Sequence, residues 1–441
     1  MARKLFGTDG VRGVAGELLT AELALALTHV ATAQLPVERP RVLIVRDTRE
    51  SGEMLQAAVA AGVAAAGGDA LLGGVLPTPA APLLLRQYGF DLAVVLSASH
   101  NPFQDNGIKF FAGDGYKLSD EAELAIEAAL EAGREPGPPP TMGHVRELRG
   151  ASEDYLRELH TRFADLDLSG LDVLLDCANG ATYRVAPEIF SRLGAKVTVL
   201  AASPDGRNIN DCCGSTHVEE LAAKVLAGGH AIGFAFDGDG DRVLAVDSRG
   251  EVVDGDELLA LAATHLRRAG RLPGDGVVVT VMTNYGFHTA MEREGVDVAV
   301  TAVGDRYVLE ELRSRGWGLG GEQSGHLIEM SFNRTGDGIA GALLTLEALD
   351  GGELAERHAM EKLPQRLVNV RVRDRAAIAG ADAVHSAVRD AEADLEGRGR
   401  VLIRPSGTEP LVRVMVEAPS AEEADEVCGR LVALVESELG G

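Results

Sequence analysis

The sequence predicts an α/β protein with three similar domains, each built on a mixed or parallel sheet, and a smaller C-terminal α+β domain around a central cleft. Three observations support this prediction. Strand-like and helix-like patterns alternate along most of the chain. A strand–helix–strand unit recurs three times. The length of 441 residues corresponds to about three domains of ~150 residues each.

The first unit begins with a β-branched run at residues 41–46, which is typical of a buried strand. An alanine-rich helical stretch follows at 52–66, and a glycine pair, Gly67-Gly68, then ends the helix. Another apolar run lies at 70–75. Strand, helix, glycine and strand in this order predict parallel strands joined by a right-handed crossover.

The same order recurs twice further along the chain. The second copy has a strand at 171–176, a helix at 187–193, Gly194 and a strand at 196–200. The third has a strand at 277–282, a helix at 287–294, Gly295 and a strand at 296–302. Copies so widely spaced indicate separate domains rather than a solenoid.

The domain boundaries are predicted from composition. A Pro/Gly-rich linker at 134–140 precedes a bridging helix at 152–163. From Val368 on, the pattern predicts a strand, a helix, a strand at 411–417 and a helix at 421–434. We therefore expect four domains, at residues 1–150, 151–249, 250–365 and 366–441.

Charge and composition exclude several classes of function. The chain has 67 acidic against 42 basic residues, a formal net charge of −25. Such a charge argues against nucleic acid and anionic membrane surfaces as partners, because both need Lys and Arg. No apolar run approaches the ~18 residues of a membrane span, and the charged start lacks the apolar core of a signal peptide.

The four cysteines show no disulfide or zinc spacing, and two of them are adjacent. We expect buried free thiols in a reducing compartment. Together with the missing targeting signals, this predicts a cytoplasmic protein.

An acidic loop directly follows the apolar run 231–236, at the strand end where open α/β sheets place ligand chemistry. It carries carboxylates at three alternate positions separated by glycines: Asp237, Asp239 and Asp241. Such a set can converge on Mg²⁺ or Ca²⁺. An EF-hand does not fit, since its Gly and Glu positions hold Arg242 and Ser248. The alternative is a solvated acidic turn.

A serine loop, Ser97-Ala-Ser-His-Asn-Pro102, follows the apolar run 92–96. Two serines and a histidine at a strand end can cradle a phosphate or hold a nucleophile. By itself, this segment is as typical of an ordinary serine-rich turn.

Two further loops carry polar groups suited to a sugar phosphate. Residues 320–326 form a glycine-flexed loop, whose carboxylate and hydroxyl can hold vicinal sugar hydroxyls; it carries Glu322, Ser324 and His326. Residues 404–410 follow another apolar run and suit an anion. The anion loop and the residues near it offer Arg404, Ser406, Gly407, Thr408 and Arg413. The 320–326 loop could also be an ordinary polar turn.

Other sequence features restrict the class of ligand further. The anion loop lacks the lysine and spacing of a P-loop, and no G-x-G-x-x-G follows a strand, so neither a nucleoside triphosphate nor a dinucleotide is indicated. Arg12 and Arg306 each stand in a flexible strand-end loop, where they could equally be surface charges. Taken together, the loops predict metal-assisted phosphoryl transfer on a phosphorylated polyol.

In order and content the loops resemble those of the α-D-phosphohexomutase superfamily, and the resemblance covers essentially the whole chain. The opening at 6–13, the run at 97–111 and the loop at 321–326 are most similar to the bacterial branch that acts on glucosamine phosphates. The branch that acts on mannose and glucose phosphates typically has Met at the position of Gln323.

The resemblance implies a role for each loop. Ser99 would be the phosphoserine, and the acidic loop with a Ser99 phosphate oxygen would bind one Mg²⁺. Residues near the transferring phosphoryl group would be Arg12, Arg242, Lys109 and His100. Sugar contacts would come from Glu322, Ser324, His326 and the loop ending at Arg306, and the anion loop would hold the other phosphate.

The resemblance also implies the reaction. Glucosamine 6-phosphate and glucosamine 1-phosphate would interconvert through glucosamine 1,6-bisphosphate, the intermediate and activator, and so supply UDP-N-acetylglucosamine and cell-wall synthesis. Either Lys109 or His326 would be the general base. A homodimer is expected. The alternatives are a phosphomannomutase or phosphoglucomutase, a metal-dependent phosphatase that uses Ser99, and a non-catalytic sugar-phosphate sensor.

Overall fold

A computed structural model describes residues 5–7, 9–133, 141–406 and 410–440. It divides into two compact units. The first comprises Met1–Met282 and Val296–Arg357, and the second comprises Thr283–Gly295 and His358–Gly441. The linker predicted at 134–140 lies outside the described residues. Among the described helices, none combines the length and the apolar character needed to cross a bilayer.

The first sheet of the first unit has six strands in the order β1-β5-β4-β2-β3-β6. Its elements and the following helix are β1 (Val11–Val14), α1 (Ala21–Ala33), β2 (Arg41–Arg46), α2 (Gly52–Ala65), β3 (Asp69–Val75), α3 (Ala80–Tyr88), β4 (Leu92–Leu96), β5 (Asp105–Ala112), α4 (Asp120–Glu131), β6 (Val145–Glu147) and α5 (Ala151–Arg162). Strand β2 pairs in parallel with β3 and β4, whereas β5 returns antiparallel to β4. All five β4 side chains are buried, as expected for a central strand covered on both faces.

The second sheet has the order β11-β10-β9-β7-β8. Its elements are β7 (Asp172–Asp176), α6 (Val185–Arg192), β8 (Lys196–Leu200), α7 (Glu219–Gly228), β9 (Ile232–Phe236), β10 (Val243–Asp247) and β11 (Val252–Val253). Strand β7 is parallel to β8 and β9, and β10 is antiparallel to β9. The turn between β9 and β10 is the acidic loop.

The third sheet has the order β13-β12-β14-β15. The elements of this part of the chain are α8 (Gly255–Arg268), β12 (Gly276–Thr280), α9 (Tyr285–Glu294), β13 (Asp297–Thr301), α10 (Asp305–Arg315), β14 (Leu319–Gly321), β15 (Leu327–Glu329) and α11 (Gly338–Leu349). Helix α8 begins at a full capping box between Asp254 and Glu257. Helix α9 belongs to the second unit.

The second unit contains an antiparallel sheet in the order β16-β18-β17. Its elements are β16 (Gln365–Arg371), α12 (Asp382–Asp394), β17 (Arg400–Pro405), β18 (Leu411–Glu417) and α13 (Ala421–Leu439). A short 3₁₀ helix lies in this unit at Arg375–Gly380, and two lie in the first unit, at Pro273–Asp275 and Leu354–Glu356. An apolar core that includes Val384, Val414 and Val435 lies between the sheet and its helices.

The predicted fold class is confirmed: three mixed α/β sheets are followed by a smaller α+β sheet. The three strand–helix–strand units are present, and each pairs its two strands in parallel. In the third unit Gly295 is the left-handed C-cap. In the first two, the glycine with positive φ (Gly67 and Gly194) lies one residue after the cap.

Two expectations were wrong in detail. The C-terminal pattern omitted β17 as a separate strand, because its apolar run has only three residues, 401–403, and ends at the anion loop. All four cysteines are free, but Cys212 is exposed rather than buried. Its position in the irregular connection between β8 and α7 explains the exposure.

Candidate active site

Ser99 lies at the carboxyl end of β4, where the chain turns back into β5. It adopts a left-handed backbone conformation with φ of 53° and is almost fully buried. Its N–H donates to Ser97 Oγ at 3.0 Å, and Ser97 Oγ donates to Asp47 Oδ2 at 2.6 Å. Its own Oγ donates to Asp237 Oδ2 at 2.5 Å. The strained turn therefore aims the Ser99 hydroxyl at the acidic loop.

The three carboxylates of the acidic loop converge. Asp237, Asp239 and Asp241 each offer one oxygen within 4.8 Å of the others, and all three are buried. Burial and the negative charges of its two neighbours raise the pKa of Asp237. Oδ1 of Asp239 and Oδ1 of Asp241 are buried without a hydrogen-bond partner. Orphaned carboxylate oxygens in a like-charged cluster fit a hard divalent cation, so the triad could hold a metal ion.

Lys109 reaches the same carboxylates from β5. Its buried Nζ lies 2.7 Å from Asp239 Oδ2 and 2.9 Å from Asp9 Oδ2. Thr78 Oγ1 also donates to Asp239 Oδ2, at 2.6 Å. Burial would lower the pKa of Lys109, but the charges of Asp239 and Asp9 outweigh it and raise the pKa. In this arrangement Lys109 is a firmly protonated cation.

Two cations and a histidine stand beside the serine. Arg12 Nη1 lies 3.5 Å from Ala98 O, and its guanidinium is paired with Asp9. The backbone N–H of Arg242 donates to Asp237 Oδ1 at 3.2 Å, and its side-chain Nε lies 3.8 Å from Asp241 Oδ1. Burial and the charges of both arginines lower the pKa of His100 to about 4. His100 Nδ1 lies 3.3 Å from the Ser99 hydroxyl, which therefore has a neutral imidazole beside it as well as Asp237.

A cavity of about 520 Å³ opens in front of these groups. Its lining brings together residues from the opening loop, the serine loop, the acidic loop and the 320–326 loop. They are Leu5, Gly7, Asp9, Gly10, Arg12, His100, Asp241, Arg242, Val303, Gly304, Asp305, Glu322, Ser324 and His326. The volume and polar lining suit a small charged ligand.

The 320–326 loop closes one side of the cavity. Glu322 Oε1 accepts the N–H of Gly304 at 3.0 Å, and Ser324 is exposed at the rim. His326 is buried, with Nδ1 3.6 Å from Asp241 Oδ2. Burial would lower the pKa of His326, but the hydrogen bond and charge of Asp241 raise it.

Gln323 does not line this cavity. Its Nε2 donates to Asp254 Oδ2 at 3.3 Å, the N-cap carboxylate of α8. The side chain at this position therefore anchors its loop to α8.

Arg306, predicted to contact substrate, is not brought into this cavity. Its guanidinium donates to Asp120 Oδ1 and Leu118 O, both at 2.6 Å, and it lines a separate cavity of about 280 Å³. Next to it, Lys117 Nζ lies 2.5 Å from Asp305 Oδ2. These crossed ion pairs fasten the start of α10 to the segment before α4.

The anion loop of the second unit has two opposed arginines. Arg404 on β17 is the direct cross-strand partner of Arg413 on β18. Burial and the charge of Arg413 lower the pKa of Arg404, and Arg413 Nε is buried without a hydrogen-bond partner. Within the described residues neither forms an ion pair. Ser406 is buried, whereas the predicted Gly407 and Thr408 lie outside the described residues.

Several residues that the sequence analysis missed take part in the site. They are Asp9, Asp47, Arg49, Thr78, Lys117, Asn210 and Asp305. For Asp47 and Arg49 a signal existed, because both follow β2 at the same sheet edge as the serine loop. Lys117 and Asn210 carry no local signal.

Comparison with known proteins agrees with this architecture. Four sequence profiles of the phosphoglucomutase/phosphomannomutase family match in succession: α/β/α domain I at residues 3–136, domain II at 153–250, domain III at 254–367 and the C-terminal domain at 367–434. The chain therefore belongs to the phosphoglucomutase/phosphomannomutase family, the α-D-phosphohexomutases, as its motifs predicted.

Within that family, highly similar relatives are phosphoglucosamine mutases. The one from Moorella thermoacetica is 52% identical over 97% of this chain and 98% of the relative. Those from Bacillus subtilis and Streptomyces avermitilis are 47% and 51% identical over 99% of this chain, and cover 99% and 100% of the relatives.

Solved structures share the fold. A phosphoglucomutase/phosphomannomutase family protein from Burkholderia thailandensis has a TM-score of 0.83 at 23% identity, covering 98% of this chain and 97% of that one. An N-acetylglucosamine-phosphate mutase in its product complex has a TM-score of 0.68 at 17% identity, with coverage of 98% and 96%.

Proposed function

We propose that this protein is a phosphoglucosamine mutase, an isomerase-class phosphotransferase that interconverts glucosamine 6-phosphate and glucosamine 1-phosphate. The observation that carries the reaction class is the contact between Ser99 Oγ and Asp237, within a converging carboxylate triad beside a polar cavity. The choice of sugar rests on the full-length identity to phosphoglucosamine mutases.

We assign Mg²⁺ to the triad. Bound there, it would neutralise charge on the oxygens of the transferring phosphoryl group. Arg12 and Arg242 line the cavity beside Ser99 and would act on the same oxygens.

Ser99 is the proposed phosphoryl carrier. In the first half-reaction O1 of glucosamine 6-phosphate attacks the phosphorus, the bond between Ser99 Oγ and phosphorus breaks, and the O1 proton passes to a base. The resulting 1,6-bisphosphate turns around, and Ser99 Oγ attacks the 6-phosphoryl group. The bond between O6 and phosphorus breaks and the base returns its proton to O6, which releases glucosamine 1-phosphate and regenerates the phosphoserine.

Of the two candidate bases, the geometry favours His326. Nearby carboxylates raise the pKa of both groups, but His326 lines the cavity, whereas Lys109 is enclosed by Asp9 and Asp239. We propose that His326 takes the sugar hydroxyl proton and that Lys109 serves as a fixed cation.

The anion loop takes the phosphate that is not transferred. Two facing arginines without a carboxylate partner among the described residues suit a doubly charged phosphate. Ser406, Gly407 and Thr408 complete this proposed subsite, while Glu322 and Ser324 hold sugar hydroxyls. The placement of Arg306 supports a fastening role over the substrate contact that its loop suggested.

The remaining expectations stay proposals. We expect a cytoplasmic homodimer that acts on small hexosamine phosphates and supplies UDP-N-acetylglucosamine synthesis. Light scattering after size-exclusion chromatography measures the oligomeric state.

The decisive experiment is intact-protein mass spectrometry with peptide mapping, before and after incubation with glucosamine 1,6-bisphosphate and Mg²⁺. We expect one added phosphoryl group, on Ser99. Relative kcat/KM for glucosamine, mannose and glucose phosphates then tests the sugar. No phosphate on Ser99 under any priming condition would reject the mechanism, and steady release of inorganic phosphate would favour the phosphatase alternative.

A further inference from the structure

A buried ion pair lies behind the serine loop, on the side away from the cavity. Arg49 Nε contacts Asp47 Oδ2 at 2.8 Å, and both side chains are fully buried. Neither lines the cavity. Burying a charged pair is costly unless its remaining donors are satisfied. The other hydrogen bonds of the Arg49 guanidinium therefore indicate the structural role of the pair.

Those contacts converge on the carbonyl groups of the serine loop. Arg49 Nη2 donates to Ser99 O at 2.9 Å and to Asn101 O at 2.8 Å. Asn210 Nδ2 donates to the same two carbonyls, at 2.9 Å and 3.0 Å. Two carbonyl oxygens thus each receive two donors, from segments on either side of the loop. We call Arg49 and Asn210 the carbonyl clamp.

The clamp acts on the strained residue. Ser99 has φ of 53°, which an L residue with a side chain adopts only when its surroundings hold it there. Ser97 Oγ holds the Ser99 N–H, and the clamp holds the Ser99 carbonyl. With both peptide groups fixed, the direction of the Ser99 Cα–Cβ bond is fixed as well, and the bond to Asp237 Oδ2 then sets the hydroxyl.

The clamp also touches the acidic loop. A Cβ at Gly238, between the first two metal-site carboxylates, would lie 2.6 Å from Ser99 O and 2.7 Å from Asn210 Nδ2. The acidic loop therefore packs directly on the clamped carbonyl. The clamped carbonyl and the first two carboxylates of the triad are therefore in contact through Gly238.

We propose that Arg49 and Asn210 are positioning residues for phosphoryl transfer, which act through the Ser99 and Asn101 carbonyls to hold the nucleophile against the metal loop. This inference rests on the proposed function. Because phosphoryl transfer depends mainly on alignment, loosening the clamp slows the chemical step and leaves substrate binding intact.

Two variants test the clamp. Arg49→Lys keeps the charge but loses the forked donors, and Asn210→Asp keeps the size and the left-handed preference but replaces the donor by an acceptor. We expect kcat to fall on the order of 100-fold, with KM for glucosamine 1-phosphate within about threefold of wild type. Single-turnover transfer from glucosamine 1,6-bisphosphate to Ser99 should slow by the same factor.

The matched control is Arg162→Lys. Arg162 is another largely buried arginine, paired with Glu329 and Glu347, so its variant should lower Tm and leave kcat unchanged. Folded clamp variants with wild-type kcat would overturn the proposal. If Arg49→Lys does not fold, the kcat of Asn210→Asp tests the proposal alone. If neither variant folds, the clamp serves stability, and the proposed positioning role is overturned. An inactive wild type would instead reject the proposed function.

Discussion

The residues around Ser99 in the first unit and the anion loop of the second unit differ in how their cationic side chains are paired. Around Ser99 each buried cation has a carboxylate partner, as Lys109 has in Asp9 and Asp239. In the anion loop Arg404 faces Arg413, and no ion pair with either is found within the described residues. The first region is preorganised by its own charges, whereas the second is the one for which we propose an anion as the partner. Substitutions should therefore change catalysis in the first and binding in the second.

The largest effect is expected for Ser99→Ala. Loss of the phosphoryl carrier should lower kcat by about 10⁴-fold or more, and the purified variant should take up no phosphate from glucosamine 1,6-bisphosphate. Ser331→Ala is the matched control, since that exposed hydroxyl donates to Glu329 Oε1 at the surface. A Ser99→Ala variant with more than 1% of wild-type activity would exclude the phosphoserine mechanism.

The carboxylate triad gives a second test. Three like charges repel one another without a cation, so Asp237→Asn should raise Tm in chelator and abolish the Tm increase that Mg²⁺ gives the wild type. At 100 times its Kd a ligand stabilises by about 2.7 kcal/mol. Asp167→Asn, at an exposed turn, is the control. Equal Mg²⁺ responses of Asp237→Asn and wild type would show that the ion binds elsewhere.

Arg413→Met probes the anion loop. We expect KM to rise about 10- to 100-fold, the loss of one charge-assisted contact, while kcat stays within about threefold. Stability should not fall, because the substitution removes a like charge and a buried Nε without a partner. Arg366→Met, whose pairing with Asp425 is exposed, is the control for charge alone. A drop in kcat at unchanged KM would place Arg413 with the reaction-centre residues.

The smallest effect is expected for Arg306→Ala. Since the guanidinium joins α10 to Asp120 and Leu118, its loss should lower Tm by a few degrees and change KM less than about twofold. Asp120→Ala, which leaves the ion pair with Glu123 in place, should lower Tm by less. A tenfold increase in KM for Arg306→Ala, but not for Asp120→Ala, would instead support the substrate contact expected from the Arg306 loop.

Much of the site could be predicted from the sequence, because its key loops directly follow apolar runs. Residues 92–96 and 232–236 became fully buried strands, so the serine and acidic loops had to emerge at strand ends. The spacing of Asp237, Asp239 and Asp241 also indicated their convergence, since glycines between them let the chain turn tightly.

The pairing of charges could not be predicted in this way. Lys117 and Asp305 are 188 residues apart, yet their charged atoms lie 2.5 Å from each other. The loop around Arg306 suggested a substrate contact. Only the tertiary structure shows that the Arg306 guanidinium forms an ion pair with Asp120 at the start of α4. Arg49 follows β2 in the sequence, but only the tertiary structure places the serine-loop carbonyls around its guanidinium.

By itself, the sequence determined the fold class, the loops that carry chemistry and the family to which they belong. These depend on local patterns: apolar period, glycine spacing and the order of functional groups. Only the tertiary structure decided which base faces the cavity, which arginine lacks a carboxylate and which residues hold Ser99 from behind. Such choices depend on contacts of about 3 Å between distant segments, because a hydrogen bond or buried ion pair weakens steeply beyond that distance.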